Sequence, residues 1–521
     1  MAVKASFLSM GDCMSRNVVI AGAGPSGLTA AYELSAKSCG YTPVVLEETD
    51  SLGGIARTVV HNGNRMDIGG HRFFTKNERV KRLWNELLPV VDPGDGKDTS
   101  SSFDNRVMLR RHRVSRIYYL NRFFDYPVTL SYSTLSSLGL NNTIKVSLGF
   151  LISRLRSLPE SSLENFYINR FGRPLYQMFF EDYTQKVWGR HPSEIGAEWG
   201  RQRVKGLSVM AIIKDMVSKK VGYNVSEKRI ETSLIDYFIY PKLGPGQLWE
   251  IMAERAETNG AKILKGHRVN RVSIDRNRIR SITAVDKNGV DKEFPCDYFV
   301  STMAIKDLIG MIDGIEIPRH IREIAENLPY RDFVTVGLLV DYMKLSDGRI
   351  SRGKNGLISD NWIYIQDRGV KLGRVQIFNN WSPYLVADSD RVWIGLEFFC
   401  NEGDDMWEMS DNEFVSMAVH ELSHIGLIDK DCVRDTKIVR MKKAYPAYFG
   451  SYSEFSKVRA FLDNIQNLFC IGRNGQHRYN NMDHSMLTAM MAADCIISGV
   501  GDKSDIWNVN TESDYHEAAK A

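Results

Sequence analysis

The chain has 521 residues, of which 43% are hydrophobic and 25% are charged. This composition is typical of a globular protein with a large core, and the length predicts about three domains or one large fold with insertions. The 67 basic and 63 acidic residues give a net charge of +4, which is too balanced for a protein that binds nucleic acid. No apolar run could span a membrane and no signal peptide is evident. The seven scattered cysteines, without a CxxC pair, favour a reduced, cytoplasmic location.

The first strong signal is a strand, a glycine-rich turn and a helix near the N-terminus. NVVIA is a short β-branched run typical of a buried parallel strand, and GAGPSG follows it directly. Gly22 permits a tight turn, Gly24 lets the backbone approach a pyrophosphate, and Gly27 allows close packing of helix on strand. Glu47 ends the next predicted strand, where an acidic side chain meets a ribose hydroxyl group. The pattern predicts a cofactor that contains ADP.

Two further segments resemble motifs of FAD enzymes of the amine oxidase and protoporphyrinogen oxidase superfamily. GGIART, with Gly54 and Arg57, resembles the second motif, in which glycines approach the pyrophosphate and the arginine supplies charge. DIGG, with Gly70, resembles a loop that passes beside the isoalloxazine ring. The resemblance implies FAD as the cofactor.

The C-terminal part is predicted to complete the same nucleotide site. QNLFCIGRNG indicates a strand that enters a loop, and the pair Gly472 and Arg473 is similar to a pair that lies at the ribityl chain in related flavoproteins. A loop that contains Met482 and Asp483, both candidate cofactor-binding residues, leads into a helix predicted for the run MLTAMMAADCII, with the N-terminus of that helix at the flavin carbonyl region. The resemblance implies that Val269 contacts the adenine, with a plain sheet residue as the alternative.

These segments predict an α/β fold with a discontinuous, Rossmann-like FAD-binding domain. Its three pieces are residues 16–85, 232–319 and 460–500. Residues 86–231 are predicted to form a mainly helical region, apart from a hairpin-like stretch at 112–127. Residues 320–459 are predicted to be rich in strands. Both inserted regions are expected on the substrate side.

The middle of the chain resembles the UDP-galactopyranose mutases. YTQKVWG is similar to their Tyr-Thr-x-Lys-x-Trp-Gly segment, and RYNNMD near the C-terminus is also similar. The resemblance implies that Tyr183 and Trp188 stack on a nucleotide sugar, that Lys186 supplies charge, and that His71 holds a flavin or substrate oxygen. The alternative is that the two aromatic rings belong to the core.

The chain departs from the mutase pattern at several positions. Phe74 replaces a second histidine, and His477 replaces a tyrosine that grips the substrate diphosphate. The first diphosphate arginine falls near Gln202, which Arg201 and Arg203 flank, and we take Arg203 as the candidate. Tyr445 keeps a Tyr-Pro match. We therefore assign His71 and Lys186 as candidate catalytic residues. The candidate substrate-binding residues are Tyr183, Trp188, Arg203, Tyr445 and His477.

Three functions are compatible with these patterns. The favoured one is an FAD-dependent oxidoreductase-superfamily enzyme that acts on a small molecule, either a nucleotide sugar or another precursor of a cell-surface glycan. The alternative is a mutase-like isomerase that uses N5 of reduced flavin as a nucleophile, with no net redox change. A non-catalytic nucleotide-binding module is disfavoured, because the aromatic and charged motifs would then have no role.

A literal HExxH pattern occurs at His420, Glu421 and His424. On a helix, two such histidines can bind zinc with the glutamate as base. No convincing third ligand follows in the sequence, so we predict a solvent-facing helix stripe and no metal site.

Overall fold

The computed structural model describes residues 15–510 apart from 38–39, 92–104, 127–137, 198–199, 201–236, 346–348 and 354–355. The predicted α/β fold class is confirmed. The longer α-helices are Pro25–Lys37, Glu78–Leu87, Leu140–Leu155, Leu163–Phe171, Gly246–Thr258, Arg319–Glu326, Asp411–His424, Phe455–Asp463 and Met482–Ser498. The shorter ones are Arg173–Tyr176, Asp182–Trp188, Ile305–Met311, Phe378–Trp381, Asp405–Glu408, Gly472–Gly475 and Ser504–Asn508.

A five-stranded parallel sheet, the nucleotide sheet, draws its strands from distant parts of the chain. In spatial order they are Lys262–Lys265, Tyr41–Glu47, Arg16–Ala21, Tyr298–Ser301 and Leu468–Cys470. The central strand is buried on both faces: Val18 and Ile20 join one hydrophobic core, and Val19 and Ala21 join another. This double burial explains its continuous apolar, β-branched sequence.

Helices and a second sheet cover the two faces of the nucleotide sheet. Helices Pro25–Lys37, Gly246–Thr258 and Met482–Ser498 contribute to the core on one face. The other face packs against a four-stranded sheet. Its strands, in order, are Asp291–Pro295, Arg278–Asp286, His267–Asp275 and Ile312–Asp313. The predicted strand and hairpin in this region are therefore present.

A seven-stranded sheet, the large sheet, forms most of the predicted strand-rich region. In order its strands are Val433–Pro446, Tyr330–Val340, Val392–Cys400, Arg374–Ile377, Trp362–Ile365, Ser115–Tyr119 and Arg122–Asp125. Smaller sheets pair Thr58–His61 with Asn64–Asp67, pair Met343–Lys344 with Ile350–Ser351, and join Val90–Val91, Met108–His112 and Tyr237–Pro241.

Strand pairing crosses the predicted region boundaries in two places. The predicted hairpin is present as Ser115–Tyr119 with Arg122–Asp125, and it extends the large sheet by pairing in parallel with Trp362–Ile365. Strand Tyr237–Pro241, which we assigned to the FAD domain, pairs instead with Met108–His112. These partners lie more than a hundred residues apart, so local sequence patterns do not reveal them. The boundaries themselves stay predictions.

Candidate active site

The carboxyl end of the central strand turns into a helix through glycines. Gly22 follows strand Arg16–Ala21 with φ +95°, in the left-handed region that favours glycine. A Cβ atom on Gly27 would lie 1.9 Å from the carbonyl oxygen of Gly22, so a glycine is needed for helix Pro25–Lys37 to approach this closely. The first turn of that helix carries no acidic residue, which suits its positive end to a phosphate group.

A second glycine turn faces the first. The Gly53 N–H donates to the Ala23 carbonyl oxygen at 2.8 Å, and a Cβ on Gly54 would lie 3.3 Å from the Cα of Gly24. A Cβ on Gly24 would meet no atom closer than the Gly54 Cα, at 4.0 Å. Packing within the chain therefore does not account for glycine at position 24. Bare backbone at both turns is what close approach of a pyrophosphate requires.

Glu47 contacts the first glycine turn, and Arg57 contacts the second. Oε2 of Glu47 accepts the Ala23 N–H at 2.8 Å, and Oε1 accepts the Thr49 N–H at 3.0 Å. Nη1 of Arg57 donates to the Gly54 carbonyl oxygen at 3.0 Å. Burial lowers the pKa of Arg57, and the charge of Glu47 opposes this change. A carboxylate beside two glycine turns fits a ribose, and the guanidinium fits a nearby phosphate.

The C-terminal loop closes against the start of the first helix. Gly472 has φ +76°, and a Cβ there would lie 2.3 Å from Oγ of Ser26. Arg473 donates to the carbonyl oxygens of Ala444 and Asn480, at 3.1 and 2.9 Å. The loop thus brings Gly472 next to Ser26, which is more than four hundred residues away in the sequence.

The other predicted cofactor residues also lie around the nucleotide sheet. Met482 and Asp483 begin helix Met482–Ser498, and burial raises the pKa of Asp483. Val269 is buried in the core that contains Leu46, the neighbour of Glu47. These positions agree with a cofactor laid across the carboxyl ends of the strands, as is usual for such sheets. Individual contacts with FAD stay predictions.

A loop with two glycines lies between the nucleotide sheet and the large sheet. A Cβ on Gly70 would lie 3.0 Å from Nε2 of Gln376 and 3.3 Å from the Trp381 ring, so the loop fits against this wall because it has no side chain there. His71 follows it, with Nε2 at 2.9 Å from the Ile68 carbonyl oxygen. Burial lowers the pKa of His71 to about 4, so the imidazole is neutral near pH 7. The backbone of Ile55 also forms a hydrogen bond with this ring, so His71 is held from two sides.

An ion pair on the large sheet faces this loop. Arg374 and Glu397 are cross-strand partners, and their Nε and Oε2 atoms are 2.6 Å apart. Gln376 donates from Nε2 to the other carboxylate oxygen, also at 2.6 Å. The Glu397 side chain has no exposed surface, whereas that of Arg374 retains 20%. The buried carboxylate therefore holds an arginine whose side chain is still partly exposed.

Tyrosines surround this guanidinium. Nη2 of Arg374 lies 3.5 Å from the Tyr445 hydroxyl, and the Tyr445 ring stacks on Tyr479 with centroids 5.5 Å apart. The Arg473 guanidinium lies over both rings. Burial raises the pKa of the Tyr183 hydroxyl well above its usual range, and Arg374 opposes this rise. We call the group of His71, Tyr183, Arg374, Glu397, Tyr445, Arg473 and Tyr479 the tyrosine chamber.

The comparisons with known proteins agree with this geometry. A family model for flavin-containing amine oxidoreductases matches residues 25–497, most of the chain. The chain belongs to this family. It is 25% identical over 189 residues to a probable UDP-galactopyranose mutase of Klebsiella pneumoniae. That alignment covers 35% of this chain and 44% of the mutase, so less than half of the relative's length.

Solved structures share the fold over nearly the whole chain. A reduced UDP-galactopyranose mutase has a TM-score of 0.77 at 19% identity, with 96% of this chain and 100% of that chain covered. A putative protoporphyrinogen oxidase from Exiguobacterium has a TM-score of 0.64 at 16% identity, with 94% and 99% covered. Both predicted resemblances are confirmed, and so is FAD as the cofactor of this flavin-containing oxidoreductase. Within the described residues, no helix is long and apolar enough to cross a bilayer.

The structure places some of the predicted catalytic and substrate-binding residues outside the tyrosine chamber. Nζ of Lys186 points to backbone carbonyls of the large sheet, at 2.6 Å from Asp367 and 3.2 Å from Ile365, and burial lowers its pKa to about 8. His477 is fully buried, with Nε2 at 3.0 Å from the Ala447 carbonyl oxygen. Roles for these two in catalysis or substrate binding stay predictions, but the contacts that the structure shows for them are structural. Arg203 lies outside the described residues.

Trp188 ends its helix, and its ring lies inside a core. It is the last residue of helix Asp182–Trp188, and Gly189 follows with φ +64°. Arg331 donates from its guanidinium to the carbonyl oxygens of Val187 and Lys186, which caps the end of the helix. The Trp188 side chain is 4% exposed and belongs to the core beneath the tyrosine chamber.

Sequence reasoning missed Arg374, Gln376 and Glu397 and did not select Tyr479. A signal was present, because Glu397 is a single charge in the apolar strand Val392–Cys400. A buried charge requires a partner, so such a strand predicts a cation on its neighbour. Identifying Arg374 as that cation requires the strand register, which the sequence alone does not provide.

The two histidines and the glutamate of the HExxH segment lie on different sides of their helix. His420 and His424 are exposed on helix Asp411–His424, and their rings lie 6.2 Å apart. Glu421 points inward and accepts the backbone N–H groups of Lys371 and Leu372 at 2.9 to 3.0 Å. The glutamate and the histidines therefore have different surroundings. Among the described residues, no three potential metal ligands come together.

Proposed function

We propose that this flavin-containing oxidoreductase acts on a nucleotide sugar or another precursor of a cell-surface glycan. The observation that carries this proposal is the tyrosine chamber, in which the Arg374–Glu397 pair and Arg473 lie among three tyrosines. Sugar rings are bound by aromatic faces together with hydroxyl and charged groups, and guanidinium groups bind phosphates. The chamber supplies both kinds of group next to the Gly70–His71 loop.

The same chamber disfavours other substrates of flavin enzymes. A cationic amine would meet Arg374 and Arg473, and both oxygens of Glu397 are already occupied by Arg374 and Gln376. A large apolar substrate would have to desolvate these charges without compensating them. An anionic or hydroxyl-rich molecule has neither difficulty.

The side chains of the chamber have distinct roles in this proposal. Arg374, fixed by Glu397, orients an anionic or hydroxyl group, and Arg473 adds positive charge between Tyr445 and Tyr479. The Tyr183 hydroxyl stays protonated near neutral pH because burial raises its pKa, so it can donate a hydrogen bond. His71 is neutral, and the Ile68 carbonyl oxygen fixes the orientation of its ring beside the chamber. Bound FAD supplies a hydride acceptor when oxidised and a nucleophilic nitrogen when reduced.

Two reaction types remain compatible with the chamber. In the first, the substrate is oxidised. In the second, a mutase-like isomerisation, the ring of the sugar changes with no net redox change. We keep the isomerisation as the second candidate because the segment YTQKVWG, which contains Tyr183, is similar to a segment of the UDP-galactopyranose mutases.

Anaerobic incubation of the purified yellow protein with UDP-galactopyranose or UDP-galactofuranose tests the proposal. Ring interconversion that requires dithionite indicates the mutase reaction. Loss of the oxidised flavin bands on adding a nucleotide sugar without dithionite indicates oxidation of that sugar. If a panel of nucleotide sugars neither binds nor reacts, while an amine reduces the flavin, the proposed substrate class is wrong.

A further inference from the structure

Helix Leu140–Leu155 exposes a continuous apolar face. Ile144, Leu148, Leu151, Ile152 and Leu155 are between 49% and 89% exposed. Their spacing of four, three, one and three residues places them on one side of a helix. Five of the fourteen exposed large hydrophobic side chains among the described residues therefore lie on this one helix. We call these five residues the apolar stripe.

The opposite side of the helix is firmly packed. Val146 and Phe150 are buried, at 1% and 7% exposure. A Cβ on Gly149 would lie 2.3 Å from Cδ of Pro174, so the helix touches its neighbour without an intervening side chain. Rotation of the helix to bury the apolar stripe would break this core. The stripe is therefore a stable surface feature.

The charged side chains of this helix and of the residue that follows it are all basic. Lys145, Arg154 and Arg156 lie on or directly after the helix, and residues 138–159 contain no aspartate or glutamate. Basic residues beside an exposed apolar helix face match a surface that is both apolar and anionic. We propose that this face binds the surface of an anionic lipid bilayer, with the helix lying in the plane of the membrane.

The dimensions and charge of the helix favour this arrangement over a helix that crosses the membrane and over a dimer. Sixteen residues of helix extend about 24 Å, which is shorter than the hydrocarbon core, so the helix lies on the membrane and does not cross it. A second copy of the chain bound through the same face by a two-fold axis would bring two sets of Lys145, Arg154 and Arg156 together. Like charges at such an interface oppose association. The proposal is independent of the reaction that the flavin site catalyses.

Vesicle sedimentation of the FAD-loaded protein tests the proposal. We expect the protein to pellet with vesicles of phosphatidylglycerol and phosphatidylcholine, and to bind pure phosphatidylcholine vesicles more weakly. Raising NaCl from about 0.1 to 0.5 M shortens the screening length and weakens binding to the anionic vesicles. The variant Leu151→Asp with Leu155→Asp should lower the partition coefficient roughly a hundredfold, because two leucines that would enter the bilayer are replaced by charged residues.

Matched controls separate the surface from general effects. Val290 is 54% exposed on a hairpin far along the chain, so Val290→Asp should leave vesicle binding unchanged. The double variant should keep its flavin content and thermal midpoint, because both leucines are exposed. Failure of the wild type to bind anionic vesicles at low salt would overturn the proposal. So would a wild-type dimer that Leu151→Asp with Leu155→Asp converts to a monomer, because a second copy would then occupy the apolar stripe.

Discussion

Arg374 and Glu397 face each other across two antiparallel strands of the large sheet, with Nε and Oε2 2.6 Å apart. Because Glu397 has no exposed surface, its charge depends on this partner and on Gln376. Removing only the arginine would leave a buried, unpaired carboxylate, at a cost of about 3–5 kcal/mol. The pair must therefore be tested as a unit.

We expect the double variant Arg374→Met with Glu397→Gln to keep the fold and the flavin but to lose substrate affinity. The substitutions preserve volume and remove both charges, so stability changes little. Loss of a hydrogen bond from a charged group costs about 1.5–3 kcal/mol, which corresponds to roughly 10- to 150-fold weaker binding of a nucleotide sugar. Isothermal titration with the oxidised protein measures this change.

A second buried ion pair provides the control for that experiment. Arg116 and Asp360 are 2.6 Å apart, and Asp360 is fully buried, but the pair lies outside the tyrosine chamber. Arg116→Met with Asp360→Asn makes the same change in charge and should leave sugar affinity unaltered. Equal affinities in both double variants would remove Arg374 from the proposed substrate site.

Gly24→Val should abolish flavin binding without unfolding the protein. A Cβ at position 24 meets only the Gly54 Cα at 4.0 Å, so the protein itself has room for this atom. The bound pyrophosphate would lie against the same position, and the valine side chain would exclude it. The 450 nm flavin absorbance per chain and circular dichroism measure the two effects. Gly310→Val, at a helical glycine whose Cβ would meet no atom within 4 Å, should keep its flavin. Full flavin content in Gly24→Val would contradict our placement of the cofactor.

Trp188→Ala should mainly reduce stability. Truncating a buried tryptophan costs about 3–5 kcal/mol, and this ring is 4% exposed. We expect Trp188→Ala to lower the thermal midpoint, and we expect the midpoint of Trp188→Phe to lie between those of Trp188→Ala and the wild type. Substrate affinity in the folded fraction then tests the stacking role that the mutase resemblance implies. An unchanged midpoint with roughly 5- to 150-fold weaker binding would show that the ring acts on substrate and is not needed for packing.

Stability should fall as the pH decreases from about 6.5 to about 4. Burial lowers the pKa of His477 to about 4, whereas an unfolded histidine titrates near 6.5. In this window the unfolded chain binds more protons than the folded one, so acid favours unfolding by roughly 3 kcal/mol for this residue. Burial lowers the pKa of His71 in the same direction, so His71 adds to the loss of stability in acid.

The variant His477→Asn isolates this contribution. Position 477 has φ +45°, a conformation that asparagine tolerates better than most residues. Urea unfolding followed from pH 4 to 7 should show a slope smaller by about one proton than that of the wild type. An identical slope in the two proteins would assign the acid sensitivity to other groups.

The parts of the fold that the sequence predicted well depend on local signals. The strand before Gly22, the glycine turns and the helix after Asn481 each carry their own pattern of β-branched, glycine or helical residues. Such patterns reflect the backbone conformation of a few consecutive residues, and the nucleotide site is built mostly from them.

The substrate side depends on contacts that no local pattern contains. Arg374 meets Glu397 only through strand register, and Lys186 meets the carbonyl of Asp367 only because a helix crosses the large sheet. His477 turns inward while Tyr479, two residues later, joins the chamber beside Tyr445. His477 has a positive φ, which is uncommon for residues other than glycine and which no local pattern indicates.

The order of strands in the nucleotide sheet has a consequence for biosynthesis. The central strand, Arg16–Ala21, emerges first, but its neighbour Tyr298–Ser301 follows roughly 280 residues later and the edge strand Leu468–Cys470 later still. At ribosomal speeds of about 5–20 residues per second, the first strand waits roughly 15–60 s for that neighbour. An apolar strand exposed for this long is a site for chaperone binding and for aggregation. If Gly472 and Arg473 contact the cofactor as we propose, the FAD site is complete only after this segment has joined the first strand, about 450 residues after Gly22 is made.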